Sequence, residues 1–155
     1  MNRLFLEGCK NDEVSIVEFF LNILTEKDIN ICNEDDKTAL MIACEANNHK
    51  IVKYLLRSPK ITEYHINYIN KYKYNAFIYA SIEGYTKSAK ILIKSPRITE
   101  KHLQIKIEGF NVFTMACFIK DIDLILLLMN TSKITKEMIY YPDDNNNLGY
   151  SLFKQ

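Results

Sequence analysis

The sequence predicts an all-α fold, a solenoid of stacked helix–turn–helix repeats joined by short hairpin fingers. Three observations carry that expectation. The stretch "RSPKITEYHI" at Arg57–Ile66 returns as "KSPRITEKHL" at Lys94–Leu103, with only Lys/Arg and Ile/Leu exchanges and Tyr64 against Lys101. Ala43 falls on Ala80 with a period of 37 and Ala80 on Ala116 with a period of 36. Between these marks the apolar residues recur at helical rather than alternating spacing. Self-similarity at such periods is the mark of stacked repeats, each unable to bury its apolar face alone.

Taken in order, the chain divides into four units and the beginning of a fifth. Gly8–Leu21 aligns with Ala43–Leu56 at an offset of 35 residues, so a first unit precedes the better-marked ones. The expected boundaries within one domain spanning 1–155 are approximately 1–30, 31–67, 68–104 and 105–140, with a partial or capping unit at 141–155. Each unit begins with a helix carrying apolar residues such as Leu40, Ala43 and Cys44. A break with Asn47 or Gly84 follows, residues that tolerate the left-handed backbone of a tight turn. A second helix then presents Ile51, Val52, Leu55 and Leu56 on one face. An extended polar segment such as "NICNEDDK" leads to the next unit.

The echoed stretch explains the long period. Ser-Pro ends the second helix, because proline cannot continue the hydrogen-bond ladder and restricts the residue before it. Thr62, Thr99 and Thr135 are good N-caps, so Thr62–Ile66, Thr99–Leu103 and Thr135–Ile139 each read as one extra helical turn. Ile61 with Ile66, and Ile98 with Leu103, would pin that turn to the stack.

On these residues the chain resembles the ankyrin-repeat family. "TALMIAC" stands where that family has TPLHLAA, and "IVKYLL" where it has VVKLLL. Asn30 and Asn67 lie eight residues before Thr38 and Asn75, as the family's finger asparagine does. The likeness covers nearly the whole chain. There are departures: the usual proline after Thr is Ala39, Ala76 or Val112, and the finger-tip glycine survives only as Gly109, with Asp36 and Lys73 elsewhere.

The resemblance implies a module that binds a partner protein through a concave face of finger tips and first-helix ends. Mapped onto this chain, the family's variable contact positions are Cys32, Glu34, Asp35, Lys37 and Glu45 in repeat two. In repeat three they are Ile69, Lys71, Tyr72, Tyr74 and Ile82, and in repeat four Ile105, Ile107, Phe110, Phe118 and Ile119. The face would run from acidic to aromatic and aliphatic, and repeats three and four are its expected docking region. Two rival accounts exist for its apolar members. Tyr74 and Phe110 could fold back on their own hairpins, and Phe118 and Ile119 could be covered by the fifth unit.

Other chemistries find little support. No HExxH, GxSxG or glycine-rich phosphate loop occurs, and no Cys/His pairing, so no catalytic residue, cofactor, metal or small-molecule substrate is expected. Cys9, Cys44 and Cys117 occupy one register position with Ser81, and one repeat of separation, roughly 10 Å, is too far to share an ion with bonds near 2.3 Å. They read as small packing residues, with Cys32 the exposed thiol. His65 and His102 share a register with Asp28 and Met138, which suits a surface position. "NEDDK" at Asn33–Lys37 fails the EF-hand spacing and reads as a solvated tip. Ser58-Pro59 and Ser95-Pro96 could accept phosphate, but helix termination already explains them.

"NKYKYN" at Asn70–Asn75 alternates base and aromatic, the pattern of single-strand binding through Lys71, Tyr72, Lys73 and Tyr74. A net charge of +1 offers that reading no supporting field, so nucleic acid is the lesser alternative, beside a structural or regulatory fragment of a longer protein. No apolar run reaches the roughly 20 residues of a membrane span, and a net charge of +1 calls for no broad attraction to anionic lipid, so no membrane partner is expected; the N-terminus has no signal-peptide segment. The scattered cysteines suit a reducing compartment, cytoplasmic or nuclear. The bias toward Ile, Asn, Lys and Tyr points to an AT-rich genome such as that of a large DNA virus, a protist or an intracellular bacterium. A host protein is then the expected partner of a monomeric chain. The last letters, "SLFKQ", stop inside a unit, which reads either as a cap or as a place where more chain follows.

Overall fold

Helices run through the whole described part of the chain, residues 2–82, 85–106 and 109–140 of a computed structural model. In order they are α1 (Asn2–Lys10), α2 (Val14–Ile23), α3 (Glu26–Ile29), α4 (Ala39–Glu45), α5 (His49–Arg57) and α6 (Glu63–Ile66). Then come α7 (Ala76–Ile82), α8 (Thr86–Lys94), α9 (Glu100–Leu103), α10 (Val112–Phe118), α11 (Ile122–Met129) and α12 (Lys136–Tyr140). Among the described residues there is no strand; an isolated antiparallel bridge joins Cys32 and Thr38. The chain forms two compact units, Met1–Arg97 and Ile98–Gln155.

In the first unit α1, α4 and α7 pack as an inner row, and α2, α5 and α8 as an outer row behind them. α4 lies between α1 and α7, which is why Ala39 through Cys44 are all buried. Small residues allow that double contact, and Ala43, Cys44, Ala80 and Ser81 are fully enclosed. α5 buries Ile51, Val52, Leu55 and Leu56 and leaves its other face to solvent. Each such aliphatic side chain gains about 1.5–3 kcal/mol by leaving water. Gly8 holds the register position of Ala43. A Cβ there would lie 3.1 Å from the Ile16 Cγ2 and 3.3 Å from the Val17 Cγ2, so α1 and α2 approach more closely than the later pairs require.

The chain turns at two recurring places, both with left-handed backbone. Between the paired helices these are Asp12, Asn47 and Lys120, and at the finger tips Asp36, Lys73 and Gly109. Gly84, expected in the first series, lies outside the described residues. Asp and Asn enter this conformation at low cost, and glycine at none. Lysine does so less readily, so Lys73 and Lys120 hold a strained turn that the surrounding packing imposes.

The repeated stretch does more than end a helix. α5 stops at Arg57 and α8 at Lys94, just before their Ser-Pro pairs. The hydroxyls of Ser58 and Ser95 each accept the backbone N–H two residues on, at 3.3 Å. Thr62 and Thr99 cap α6 and α9 through Oγ1, and Ile61, Ile66, Ile98 and Leu103 are buried, as the spacer reading requires. The basic residue after proline reaches back one repeat. Lys60 Nζ donates to the carbonyls of Asn22 (2.8 Å) and Leu24 (2.9 Å) at the C-terminal end of α2. Arg97 donates to the carbonyls of Leu56 (3.1 Å) and Ser58 (2.9 Å) at the end of α5, and to that of Ile61 just beyond it. These are the orphan acceptors of a helix C-terminus, and a cation there also meets the negative end of the helix dipole. The finger asparagines complete the joint. Asn30 donates to the Lys60 carbonyl (2.6 Å) and accepts from the Thr62 N–H (3.1 Å), and Asn67 donates to the Arg97 carbonyl (3.1 Å).

In the second unit α10 packs on α11 and α12. Asn111 and Thr114 form a reciprocal capping box at the start of α10, the arrangement that satisfies two orphan N–H groups at once. The Asn111 amide also donates to the Met138 carbonyl at 2.8 Å, tying α12 to α10. One expectation fails here. His102 is not a surface residue but is 3 % exposed. Its register passes from half-buried at Asp28 and His65 to buried at His102 and Met138, so the polar first members misled the reading of the later ones. The expected fifth unit at 141–155 lies outside the described residues.

Candidate functional site

The first finger is built by Asn33. Its Oδ1 accepts from the N–H groups of Asp35 (3.1 Å) and Lys37 (2.9 Å), while backbone bonds join Asn33 to Lys37 and Asp36 to Asn33. Asn70 does the same work in the second finger, accepting from Tyr72 (3.1 Å) and Tyr74 (2.9 Å). An Asx residue that folds the loop over itself is the local reason both tips turn. This construction points Glu34 and Asp35 outward from the first tip, and Lys71 and Tyr72 from the second, all four exposed.

Neighbouring fingers are clamped by Asp36. The Tyr68 hydroxyl donates to Asp36 Oδ1 at 2.8 Å, and the Lys71 backbone N–H to Oδ2 at 2.7 Å. The Lys71 amide, then the Tyr68 hydroxyl, hold the Asp36 carboxyl below its usual range. Reciprocally, that hydrogen bond and partial burial push the Tyr68 phenol up to about 12. Burial, then the nearby Asp36 charge, raise the Cys32 thiol, which is half-buried while the other three cysteines are buried.

The sequence-derived contact residues fall into distinct classes. Lys37 is held by Glu45 at 2.7 Å and lies 5.0 Å from the centre of the Tyr79 ring. Burial alone would depress Lys37, but the hydrogen bond and charge of Glu45 outweigh it and keep the ammonium above its ordinary value. Tyr74 is half-buried with its ring edge-on to Tyr79 at 5.5 Å, and the Tyr79 hydroxyl accepts from Asn70 at 3.0 Å. Tyr72 is 55 % exposed, with only the Lys71 ammonium over its ring at 5.2 Å. Lys71, Tyr72, Glu34 and Asp35 are therefore presented to solvent, whereas Lys37 and Tyr74 are tied into the wall. In the second unit Phe110 is half-buried against Phe118 at 5.5 Å. Phe118 itself is 62 % exposed. Ile107 and the side chain of Ile82 lie outside the described residues.

A groove of about 840 Å³ runs beside the first finger, with Arg3, Glu7 and Lys10 of α1 on one side and Glu34, Asp35 and Lys37 on the other. Its charges alternate, and two of its acids are already paired, Glu7 with Arg3 and Glu45 with Lys37. Sequence reading passed over this groove and the Asp36 clamp. The only signal was an acid, Asp36, at a glycine-preferring tip, with Tyr68 at the base of the next finger 32 residues on. No group of three or more potential metal-ligating side chains occurs among the described residues. No described helix is long and apolar enough to cross a membrane.

This arrangement of paired helices and projecting fingers defines a helical repeat protein. Residues 5–106 match the family profile described as ankyrin repeats (3 copies), and the chain belongs to the ankyrin-repeat family. Ankyrin repeats are generally protein-interaction modules and typically have no enzymatic activity. No curated protein sequence matches the chain. Its fold is similar to that of a chain in the solved complex of the Bd0816 predatory endopeptidase from Bdellovibrio bacteriovorus with the immunity protein Bd3460. The two share 17 % identity and a TM-score of 0.66, over 97 % of this chain and 90 % of the other.

Proposed function

We propose that the chain binds a partner protein through its finger tips, with Tyr72 and Lys71 as the central contacts and Glu34 and Asp35 as the acidic flank. The observation that carries this reading is the contrast between two neighbouring tyrosines. Tyr74 packs on Tyr79, while Tyr72 stands exposed on a finger braced by Asn70 and Asp36. An aromatic held rigidly in solvent loses little entropy on docking and gives a large contact area, the usual anchor of a protein interface. Lys37 and Tyr74 frame this surface, and Phe110 gives the second unit a contact residue of its own. The fold's likeness to a chain in an enzyme–immunity protein complex supports a protein partner in kind. We read the partner as a host protein and the chain as a monomer of the cytoplasm or nucleus, with repeats divided near residues 30, 67, 104 and 140.

The nucleic-acid reading of the same finger loses ground to the geometry. Asp36 sits on the Lys71 amide, and Glu34 and Asp35 flank the neighbouring tip, so a phosphate approaching Lys71 meets carboxylates.

The test is affinity capture from a candidate host lysate with Tyr72→Ala and with Glu34→Ala combined with Asp35→Ala, each compared with the native chain. Both variants should melt as the native chain does and lose the captured protein. Capture undiminished in both would remove these fingers as the site.

A further inference from the structure

A second surface lies on the outer row of helices in the first unit. α5 carries Lys50, Lys53 and Arg57, and α8 carries Lys87, Lys90 and Lys94, at the same i, i+3 and i+7 positions one period apart. Neither helix contains an acidic residue. α5 and α8 pack side by side, so the six cations form a two-by-three array. Its sides are about 10 Å, from seven residues at 1.5 Å rise and a helix spacing of about 8–10 Å. Among the described residues no carboxylate pairs with Lys50, Lys53, Arg57, Lys87 or Lys94. The net charge of +1 conceals this field, because the rest of the chain is net negative. α2 holds Ser15, Glu18 and Asn22 at the matching places, so the array belongs to α5 and α8 alone.

Apolar groups border the array. Tyr54 is 40 % exposed and, with Val14 of α2, lines a depression of about 490 Å³ beside Lys50, Lys53 and Arg57. On α2, Phe19 is 58 % and Ile23 52 % exposed. Five like charges gathered without a carboxylate partner among the described residues repel one another and cost the folded chain stability, and exposed apolar rings beside them add nothing to it. We propose that this face docks on a membrane surface bearing anionic lipids, with the cations at the headgroup level and Phe19, Ile23 and Tyr54 entering the acyl boundary. Clusters of Lys and Arg at this number are drawn to anionic leaflets, and an apolar edge supplies the second signal that stable attachment needs. The bilayer is favoured over nucleic acid because the cations stand on the outward side of two adjacent helices, bordered by the apolar groups Phe19, Ile23 and Tyr54, which a phosphate backbone cannot use. The fingers lie beyond the inner row and stay open to a protein partner.

Co-sedimentation of the whole chain with vesicles tests this. Phosphatidylcholine vesicles with about 30 % phosphatidylserine should pellet the protein, pure phosphatidylcholine should not, and binding should disappear by about 0.5 M salt. Replacing Lys50, Lys53 and Arg57 together by Gln should weaken binding about 100-fold. The charge-keeping set Lys50→Arg, Lys53→Arg and Arg57→Lys should bind like the native chain, with helicity and melting measured for both sets. Failure of the native chain to pellet with anionic vesicles would overturn the proposal, as would equal pelleting with neutral ones or native-like binding by the Gln set. Binding to a short DNA duplex without binding to vesicles would reassign the array to nucleic acid.

Discussion

The carboxylate of Asp36 accepts the backbone N–H of Lys71 at 2.7 Å, joining the tips of two successive fingers 35 residues apart in sequence. Its other oxygen takes the Tyr68 hydroxyl. Because Asp36 is also left-handed, with φ at 60°, the substitution Asp36→Asn keeps the backbone and removes only the charge and one acceptor's strength. The folded pKa lies below the unfolded one, so the ionised clamp stabilises the chain above the unfolded value and fades as pH falls through the folded value. The melting-temperature gap between native and Asp36→Asn chains should be full at pH 7 and close below about pH 4. A gap that persisted unchanged to about pH 2 would contradict the assignment.

Arg97 gives a second test. It donates to three carbonyls of the preceding repeat, whereas its partner Glu63 is mostly exposed. Arg97→Ala should cost about 2 kcal/mol, from lost charge-assisted hydrogen bonds and re-exposed helix-end carbonyls. Glu63→Ala should cost under about 0.5 kcal/mol, the worth of an exposed ion pair. Equal losses in urea titrations would show that the ion pair, not the carbonyls, matters.

The helix pairs and spacer turns were legible because their signals are local. Thr62, Thr99 and the Ser-Pro pairs each report on a few neighbouring residues, and the 36–37-residue register is the return of those same local signals. The joints were not, because Lys60 and Arg97 act across a whole period and look in sequence like ordinary surface cations. His102 misled for a similar reason: its burial depends on what packs over α9, and its sister Asp28 is polar. In the candidate site, the exposure of Tyr72 against the packing of Tyr74 could not be told from two tyrosines two residues apart. That distinction came from the Asn70-built loop, in which the left-handed turn at Lys73 separates the exposed Tyr72 from the half-buried Tyr74. The basic array was readable in "HKIVKYLLR" and "TKSAKILIK", but a chain-wide net charge averaged it away.

The spacer cap is open to measurement on its own. Thr99 accepts the His102 N–H through Oγ1 at 3.3 Å at the start of α9. Thr99→Ala should lower stability by roughly 1 kcal/mol, and Thr99→Ser should restore most of it. Unchanged melting in the alanine variant would mean that α9 is held by Ile98 and Leu103 alone.

The two tyrosines should separate under truncation. Tyr79→Ala removes a buried ring that meets Tyr74, Lys37 and Asn70, and should cost about 3–5 kcal/mol. Tyr72→Ala should move stability by no more than about 0.5 kcal/mol while weakening partner capture by roughly 2 kcal/mol or more. Thermal melts alongside titration with the captured partner check both. A large melting shift in Tyr72→Ala would make it a wall residue like Tyr74.

The joint between repeats also bears on how such a chain can lengthen. The cation after each Ser-Pro pair and the carbonyls it seeks lie about one period apart, and the second repeat carries both, Lys60 as donor and the Leu56 and Ser58 carbonyls as acceptors. Duplicating a cassette of about 37 residues in frame would bring a ready cation to the waiting carbonyls upstream and offer fresh carbonyls downstream. No new interface has to be invented, only copied, and the near-verbatim return of one ten-residue phrase is the trace such copying leaves.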